Sequence, residues 1–510
     1  MSAVWRLDDV DLKRLDILAS RAALSLKSGD VITLSGPLGA GKTTLARMLV
    51  THLGGEGEVP NPTFALMQRY DTPRLVLCHC DFYRLEPGEF GELGLDDALS
   101  EGSLLIEWPE RAGDWLPADR LDIALEEIAA LDRRRVVLTG HGDWVPRLER
   151  LRSLAAFLDE TSFAEADAGY LQGDASTRSY ARLDGRERNA ILMNAPRQPD
   201  GPPIRDGKPY SALVHLAEDV TPFVAVAAAL RTRGFSAPEI YAFDLDEGFI
   251  LLEDLGNRVF GAEMDEGTDQ PTLWGAAVDV LLALATKPPS TPLPIEGHAP
   301  YPLPAFDAEA MQIETSLIID WLWPALHGKE TPDSLRREFE NLWRPHLEQA
   351  AAADPGWVLR DYHSPNLIWL PEREGIRRVG LLDFQDALSG PLAYDLVSLL
   401  QDARLDVPEA LERGQLDRYC AARSGSAQSE AFSDHDFRAL FATLGAQRNS
   451  KILGIFARLA KRDGKRGYLA HIPRVARYLA RDLDHPALSS LRAFYAREFP
   501  SVADLPPTAL

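Results

Sequence analysis

The octapeptide GPLGAGKT, residues 36–43, is the most informative stretch for the fold of the first part of the chain. An apolar run, DVITLS, precedes it and a helical pattern follows it, so the glycines lie between a predicted strand and a predicted helix. Gly36, Gly39 and Gly41 let the backbone turn its N–H groups inward, and the helix N-terminus adds partial positive charge. This combination predicts a loop that holds the phosphates of a nucleotide.

The side chains that follow the glycines supply the rest of the chemistry of this phosphate-binding loop (P-loop). Lys42 is placed to reach the terminal phosphates, and the hydroxyl of Thr43 is a predicted Mg²⁺ ligand. ATP and Mg²⁺ are therefore the predicted cofactors. The predicted nucleotide contacts in the loop are Gly36, Leu38, Gly39, Ala40, Gly41, Lys42, Thr43 and Thr44.

Strand and helix patterns alternate through the first part of the chain, which predicts an α/β P-loop domain over residues 1–146. Residues 147–156 are predicted as the linker. The remainder is strand-rich at first and mostly helical after a proline-rich segment, which predicts a two-lobed α+β domain over residues 157–505. Its small lobe is expected at about 157–255 and its helical lobe at about 256–505.

The composition limits where the protein works and what it contacts. The chain has 510 residues and a formal net charge of −23, so a broad basic face for RNA or DNA is not expected. Cys78, Cys80 and Cys420 are too few for a disulfide framework, and no apolar stretch is long enough to cross a bilayer. Cys78 and Cys80 flank His79, but successive strand residues alternate faces, so zinc is not expected there. We expect a cytoplasmic protein that binds neither membranes nor DNA directly.

Three further motifs accompany the P-loop in order: NPTF at 61–64, HCDFYRL at 79–85 and IEWPE at 106–110. Glu107 follows an apolar run, and a carboxylate at such a strand end can hold Mg²⁺ or orient an attacking water. Together with the P-loop, the motifs resemble the bacterial TsaE (YjeE) family over residues ~5–145. That family is the ATPase subunit of the machinery that makes threonylcarbamoyladenosine in tRNA.

The TsaE resemblance implies roles for four residues outside the loop. Thr63 and Asp81 correspond to residues that sense the terminal phosphate and Mg²⁺, and Glu107 corresponds to the acidic Walker B residue. Trp108 is expected to flank the nucleotide. Asp81 and Glu107 are therefore the predicted catalytic residues and, with Thr43, the predicted metal ligands of this half. The resemblance also implies docking to TsaB–TsaD-like proteins, so that tRNA is reached only through partners.

A second informative stretch is LRDYHSPN, residues 359–366. Asp361 and Asn366 have the spacing D-x-x-x-x-N, and Asp383 follows a later apolar strand, which predicts a kinase-like site. The segments NLIWL and RRVGLLDF read as a hairpin that brings Asn366 and Asp383 to the same end. Asp361 is the predicted catalytic base, and the other two residues are predicted Mg²⁺ ligands.

These residues resemble the aminoglycoside phosphotransferase superfamily and, within it, the AmgK-like anomeric sugar kinases. The stretches DASTRSYARL, ILMNAP, GFILLEDLG and RDYHSPNL carry the resemblance, across residues ~155–500. It implies a kinase that uses ATP to phosphorylate N-acetylmuramate or N-acetylglucosamine at the anomeric hydroxyl in cell-wall recycling.

Two short segments look like the nucleotide-binding parts of this kinase. LLEDLGN looks like the hinge between the lobes, where the backbone at Glu253 and Leu255 could meet adenine. GDASTRSYARL looks like the strand–turn–strand over the phosphates, with donors at Ser176, Thr177 and Arg178.

Two positions depart from the superfamily pattern. Leu359 stands where the catalytic loop usually has histidine, and leucine keeps the packing but not the hydrogen bond. Met193 stands where a lysine would pair with the phosphates, so that Arg178, Arg182 or the metal ions alone must position them. Asp395 is expected to brace the catalytic loop. An inactive kinase domain that regulates the ATPase and an aminoglycoside phosphotransferase both stay open as alternatives.

Overall fold

The computed structural model describes residues 2–55, 67–83, 85, 93–128, 132–171, 178–199, 201–425 and 432–500. The chain divides into two compact units. The first unit comprises residues 1–196 and 241–254, and the second comprises residues 197–240 and 255–510.

Strands dominate the first half of the described chain, and helices dominate the second half. The strands are β1 Ser2–Val10, β2 Val31–Ser35, β3 Met67–Asp71, β4 Val76–Asp81, β5 Ser103–Glu107, β6 Arg120–Glu127, β7 Arg134–His141, β8 Asp167–Leu171, β9 Ser179–Asp184, β10 Asn189–Asn194, β11 Pro203–Arg205, β12 Lys208–Pro209, β13 Ile240–Asp244, β14 Phe249–Glu253, β15 Pro355–Val358, β16 Leu367–Trp369, β17 Val379–Leu381 and β18 Leu388–Pro391. The α-helices are α1 Leu12–Ser25, α2 Lys42–His52, α3 Leu95–Glu101, α4 Trp144–Asp159, α5 Tyr210–Leu213, α6 Thr221–Thr232, α7 Phe260–Asp265, α8 Gln270–Ala285, α9 Ala308–Leu317, α10 Trp323–His327, α11 Asp333–Ala351, α12 Ala393–Leu400, α13 Glu409–Ser424, α14 Asp434–Asp463, α15 Ile472–Leu483 and α16 Ser489–Glu498.

The first unit contains a seven-stranded sheet among its described residues, in the order β1-β7-β6-β2-β5-β4-β3. Its centre is parallel: β2 pairs with β5 and β6, and β4 pairs with β5. The apolar run of β2 is buried because helices cover this sheet, as expected for parallel strands. The strand β1 was not predicted from the sequence; it pairs antiparallel with β7 at the sheet edge, where a strand needs few apolar residues.

The helix α4 links this sheet to the following one. The segment predicted as the linker, 147–156, is the middle of α4. Leu148 and Leu151 belong to the core of the P-loop sheet, whereas Leu154 and Leu158 belong to the next core. The leucine spacing of three to four residues favours a helix, and burial at both ends explains why the connection is ordered.

The second core lies against a five-stranded sheet of described residues, in the order β13-β14-β10-β9-β8. Its edge strand β8 faces α1 of the P-loop domain. The Ser20 hydroxyl accepts from the Ala168 N–H at 2.7 Å and donates to the Ala168 carbonyl at 3.3 Å. The Arg21 guanidinium donates to Asp159 and to the Ala164 carbonyl, at 3.1 and 2.7 Å. The P-loop domain therefore covers an edge that would otherwise be open to pairing.

The second unit is mostly helical, and its described residues form three short antiparallel strand pairs, β11 with β12, β15 with β18 and β16 with β17. The 30-residue helix α14 is buried over its middle and packs against α9, α12 and α15. Across the described parts of the chain, every helix is too short or too polar to span a membrane.

We expect Ser20→Ala to loosen the β8 edge, because the Ala168 N–H and carbonyl lose their side-chain partner. An unsatisfied buried polar group costs about 1–3 kcal/mol, so hydrogen–deuterium exchange at Ala168 accelerates by roughly 5- to 150-fold. The matched control is Ser100→Ala on the exposed face of α3. Unchanged exchange at Ala168 would contradict this account of the edge.

Candidate active sites

The P-loop of the first unit connects the buried strand β2 to α2. Gly36 and Gly41 have φ values of 137° and 103°, where L side chains are strained. A Cβ at Gly36 would also clash with the Leu125 carbonyl oxygen. These two positions therefore require glycine. The N-terminus of α2 follows directly, so its N–H groups face the end of the loop.

Lys42, the first residue of α2, is buried inside the loop. Its Nζ donates to the carbonyls of Gly36 and Pro37 at 2.8 and 3.0 Å, and lies 3.8 Å from the centroid of the Trp108 ring. Burial lowers the pKa of Lys42, and nearby carboxylates, Glu107 first among them, oppose that shift. The ammonium is thus held over the loop by carbonyls and an indole face.

Glu107 ends the parallel strand β5 and is fully buried. Its Oε2 accepts from the Thr43 hydroxyl at 3.1 Å, and its Oε1 is 2.9 Å from Nε2 of His79. Asp81, at the end of β4, is the register partner of Glu107. Burial raises the pKa of Asp81, and the hydrogen bond from the Tyr83 backbone N–H opposes this effect. Two carboxylates and a hydroxyl therefore gather at the mouth of the loop.

Sequence reasoning missed His79 as a part of this site. It weighed the residue only as a zinc ligand beside its neighbouring cysteines, whereas the ring is wholly buried against Glu107. The signal that could have found it was the strand period, since residues two apart on β4 share a face and His79 therefore lies on the face of Asp81. The cysteines are free thiols in the buried part of this strand.

The other predicted P-loop residues lie around the same turn. Leu38 is 75% exposed at the tip, and Ala40 is buried, with its carbonyl accepting from Arg134 at 3.1 Å. Gly39 has φ 84°, and Thr44 lies in the first turn of α2. Thr63 is outside the described residues.

The second candidate site lies at the end of the β16–β17 hairpin in the second unit. Leu367 pairs with Leu381, and the Leu382 N–H donates to the Asn366 carbonyl at 3.0 Å. The Asn366 side-chain amide donates to the Asp361 carbonyl at 3.0 Å and lies 3.5 Å from the Asp383 carboxylate. The hairpin therefore brings together the three residues that the sequence singled out.

A buried carboxyl group holds the catalytic loop from behind. Asp395, at the start of α12, accepts from the backbone N–H groups of Leu359 and Arg360 at 2.6 and 2.9 Å. Burial raises the pKa of Asp395 to about 7, although the two backbone hydrogen bonds oppose that shift. The Leu359 side chain is 3% exposed, so it packs into the core as expected. Asp395 thus braces the loop without help from a histidine at position 359.

The small-lobe sheet of the first unit carries the residues around the missing lysine. Met193 is buried on β10 and lies opposite Tyr180 of β9. Arg182 lies opposite Ile191, so it shares the sheet face of Met193. Its guanidinium pairs with the Asp254 carboxylate at 2.6 Å. Arg182 is therefore a cation beside the lysine position.

The remaining residues predicted to bind nucleotide in the kinase half lie outside the described ranges or next to strands β9 and β14. Ser176 and Thr177 are outside the described residues, and Arg178 directly precedes β9. Glu253 is the last residue of β14, and Leu255 is the first residue of the next segment of the second unit.

Two protein families match the two parts of the chain. The model of the threonylcarbamoyl adenosine biosynthesis protein TsaE matches residues 11–136, and that of the phosphotransferase enzyme family matches residues 168–432. Fold and sites thus define a P-loop ATPase joined to a phosphotransferase. The chain belongs to the TsaE family through its N-terminal part and to the phosphotransferase enzyme family through the remainder.

Curated relatives agree with both assignments. The N-acetylmuramate/N-acetylglucosamine kinase of Caulobacter vibrioides is 39% identical over 361 residues, which are 69% of this chain and 97% of that protein. The TsaE protein of Streptomyces coelicolor is 41% identical over 135 residues, 25% of this chain and 90% of that protein. The TsaE protein of Rickettsia bellii is 41% identical over 110 residues, 21% of this chain and 76% of that protein. The predicted fold class and the predicted enzyme classes are confirmed.

The brace at Asp395 predicts a pH dependence of stability. The ordinary pKa of an aspartate is 3.8 and that of folded Asp395 is about 7, so the native state keeps a proton that the unfolded state releases. The stability from this proton is complete below about pH 4 and is lost as the pH rises to about 7, by up to about 1.4 kcal/mol per pH unit.

We therefore expect the stability of the wild type relative to Asp395→Asn, which cannot titrate, to fall between pH 5 and 7 and to level off above that range. Urea unfolding at a series of pH values measures this difference. Asp333→Asn, at an exposed aspartate, should show no such trend. A difference that stays constant, or that widens in favour of the wild type with rising pH, contradicts the assignment.

Proposed function

We propose that this chain is a bifunctional cytoplasmic enzyme. Its N-terminal domain is an ATPase that supports threonylcarbamoyladenosine modification of tRNA, and its C-terminal domain phosphorylates N-acetylmuramate and N-acetylglucosamine at the anomeric hydroxyl. The convergence of Asp361, Asn366 and Asp383 carries the kinase assignment, because it unites a base with two oxygen ligands at one hairpin end. The sugars are those named for the Caulobacter vibrioides relative.

In the kinase half, Asp361 accepts the proton of the sugar hydroxyl as that oxygen bonds to the terminal phosphorus of ATP and the bond to the ADP oxygen breaks. The carbonyl of Asp361 is tied to Asn366, so the base and the predicted metal ligands are held in one frame. Gln385 donates to the Asp383 carboxylate at 2.8 Å and orients it.

Both sites offer hard oxygen donors, which suit Mg²⁺. In the ATPase half they are Thr43, Asp81 and Glu107, and in the kinase half Asn366 and Asp383. When bound, the ion neutralises charge on the phosphates. The chain's own contribution is orientation, since Thr43 and His79 each hold one oxygen of Glu107.

Contacts with ATP in the kinase half are assigned from the sequence. Ser176, Thr177 and Arg178 are proposed as phosphate donors, and the backbone at Glu253 and Leu255 as the adenine contact. Arg182 is the candidate that replaces the missing lysine, because it lies on the sheet face of Met193.

In the ATPase half, Lys42 contacts the terminal phosphates and Glu107 orients the attacking water. We propose that this half works by docking to TsaB–TsaD-like proteins and turns over slowly without them. Asp81 and Trp108 complete the nucleotide site beside the loop, with the Tyr83 and Trp108 ring centroids 5.0 Å apart.

Two alternatives concern the kinase half alone. A regulatory domain without catalysis needs neither a base nor metal ligands, whereas the residues proposed for these roles, Asp361, Asn366 and Asp383, converge at the hairpin end. An aminoglycoside phosphotransferase acts on polycations, and activity on kanamycin discriminates it from a kinase of acetylated sugars.

The kinase assignment predicts that Asp361→Asn lowers the rate of sugar phosphorylation by about 10²- to 10⁴-fold, the usual contribution of a general base. The measurement follows N-acetylmuramate phosphate formation by the full chain with Mg-ATP. Asp354→Asn, at an exposed residue shortly before the loop, should keep the wild-type rate. A wild-type chain that phosphorylates neither sugar, or that prefers kanamycin, refutes the proposal.

For the ATPase half, we expect Lys42→Ala to weaken nucleotide binding and to abolish phosphate release, because the ammonium that meets the phosphates is lost. The assay uses the full chain with Asp361→Asn, so that the kinase half does not turn over ATP and its nucleotide binding is the same in the two variants compared. Lys27→Ala, at an exposed lysine before β2, is the matched control. Equal affinity and equal hydrolysis in the two variants would show that the P-loop is not the ATPase site.

A further inference from the structure

The long helix α14 presents two cations on one face in the second unit. Lys451 and Arg458 are seven residues apart, which is two helical turns, and both side chains are partly exposed. Gly454 lies between them on the same face, and a Cβ there would clash with the backbone of Leu317. This face of α14 therefore packs closely against α9. We call Lys451 and Arg458 the α14 cation pair.

Lys451 shares its carboxylate with a residue of the catalytic loop. Its Nζ is 2.7 Å from Glu314 of α9, and the same carboxylate pairs with Arg360, the residue before Asp361. Glu314 is completely buried; although burial opposes it, the two cations lower its pKa to about 2. One carboxylate thus serves two cations, and among the described residues Lys451 keeps one of its three donors after its contacts with Glu314 and Tyr394.

Arg458 has no carboxylate within ion-pair distance among the described residues. Its Nε is buried without a hydrogen-bond partner in that same part of the chain. The guanidinium lies 5.7 Å from the centroid of the Tyr210 ring, and Tyr210 packs against Ile313, the neighbour of Glu314. Burial lowers the pKa of Arg458, and the charges of Tyr210 and Asp463 oppose that shift, so the guanidinium is partly desolvated without a carboxylate in direct contact. An anionic ligand would relieve this cost.

Lys451, one residue of the α14 cation pair, lies beside a tyrosine that is buried against the catalytic loop. Lys451 Nζ is 3.5 Å from the hydroxyl of Tyr394, which is fully buried beside the catalytic loop. Burial, and the charges of Glu314 and Asp361 among others, raise the pKa of that hydroxyl, so Asp361 is within electrostatic range. Through Glu314 and Tyr394, Lys451 is thus connected to the catalytic loop.

We infer that Lys451 and Arg458 bind a carboxylate of the acceptor sugar, and that Arg458 sets a preference for N-acetylmuramate over N-acetylglucosamine. This inference rests on the proposed function and deepens it. The two sugars differ in the lactyl ether, which gives N-acetylmuramate its only charge. The same cations would repel an aminoglycoside, which is itself polycationic.

The test compares KM values of the full-length wild type and Arg458→Gln for both sugars. A charge-assisted hydrogen bond is lost only with N-acetylmuramate, so the ratio of its KM to that for N-acetylglucosamine should rise by about 10- to 100-fold. Arg458→Lys, which keeps the charge, should restore part of the ratio. Arg462→Gln, one turn further along at an exposed residue paired with Asp463, should leave the ratio at the wild-type value.

An unchanged ratio in Arg458→Gln overturns the inference while the proposed function stands. If the wild type phosphorylates neither sugar, the proposed function fails, and calorimetric binding of N-acetylmuramate then decides the inference by itself. Weaker binding by Arg458→Gln than by Arg462→Gln supports it. Equal binding by the two variants, or no binding by the wild type, rejects it.

Discussion

A single helix, α4, contributes leucines to two hydrophobic cores, and the arrangement of the first unit depends on it. Leu148 and Leu151 are buried with the P-loop sheet, and Leu154 and Leu158 are buried with the small-lobe sheet. Because a helix is stiff over four turns, the two sheets cannot turn freely about this connection. The hydrogen bonds from Ser20 to the β8 edge add a second attachment. The ATPase and the small lobe of the kinase are therefore built as one body, although their chemistries are separate.

Each of the two candidate sites contains a buried carboxyl group whose orientation is fixed by two hydrogen bonds. Glu107 has one oxygen held by Thr43 and the other by His79. Asp395 has each oxygen occupied by a backbone N–H of the catalytic loop. Burying a polar group is costly unless hydrogen bonds replace the lost water, and each of these carboxyl groups takes part in two. These hydrogen bonds fix the Glu107 carboxylate at the end of β5 and the backbone of the catalytic loop in front of Asp395, so neither has to rearrange before a ligand binds.

Local sequence patterns predicted those parts of the fold that close over short distances. The P-loop and the β16–β17 hairpin depend on spacing within a few dozen residues, so the glycines, Asp361, Asn366 and Asp383 could be identified directly. The role of His79 depends on a neighbouring strand, and that of α4 depends on two cores that meet at one helix. Burial of this kind is set by tertiary partners, which a single sequence does not display. The cation pair proposed to bind the substrate was not predicted from the sequence, since Arg458 lies about a hundred residues after the catalytic loop.

The departures from the kinase pattern are consistent with a working enzyme once these contacts are considered. The histidine that Leu359 replaces would orient the loop, and Asp395 already does so through the backbone, whatever side chain stands at 359. At Met193 the predicted lysine is absent, but Arg182 lies on the same sheet face, and its ion pair with Asp254 fixes its guanidinium there. A domain kept only for binding would have no reason to keep a cation beside the lost lysine. It would also gain little from Arg458, a half-buried cation with no carboxylate within ion-pair distance among the described residues, because desolvating a charge destabilises the fold.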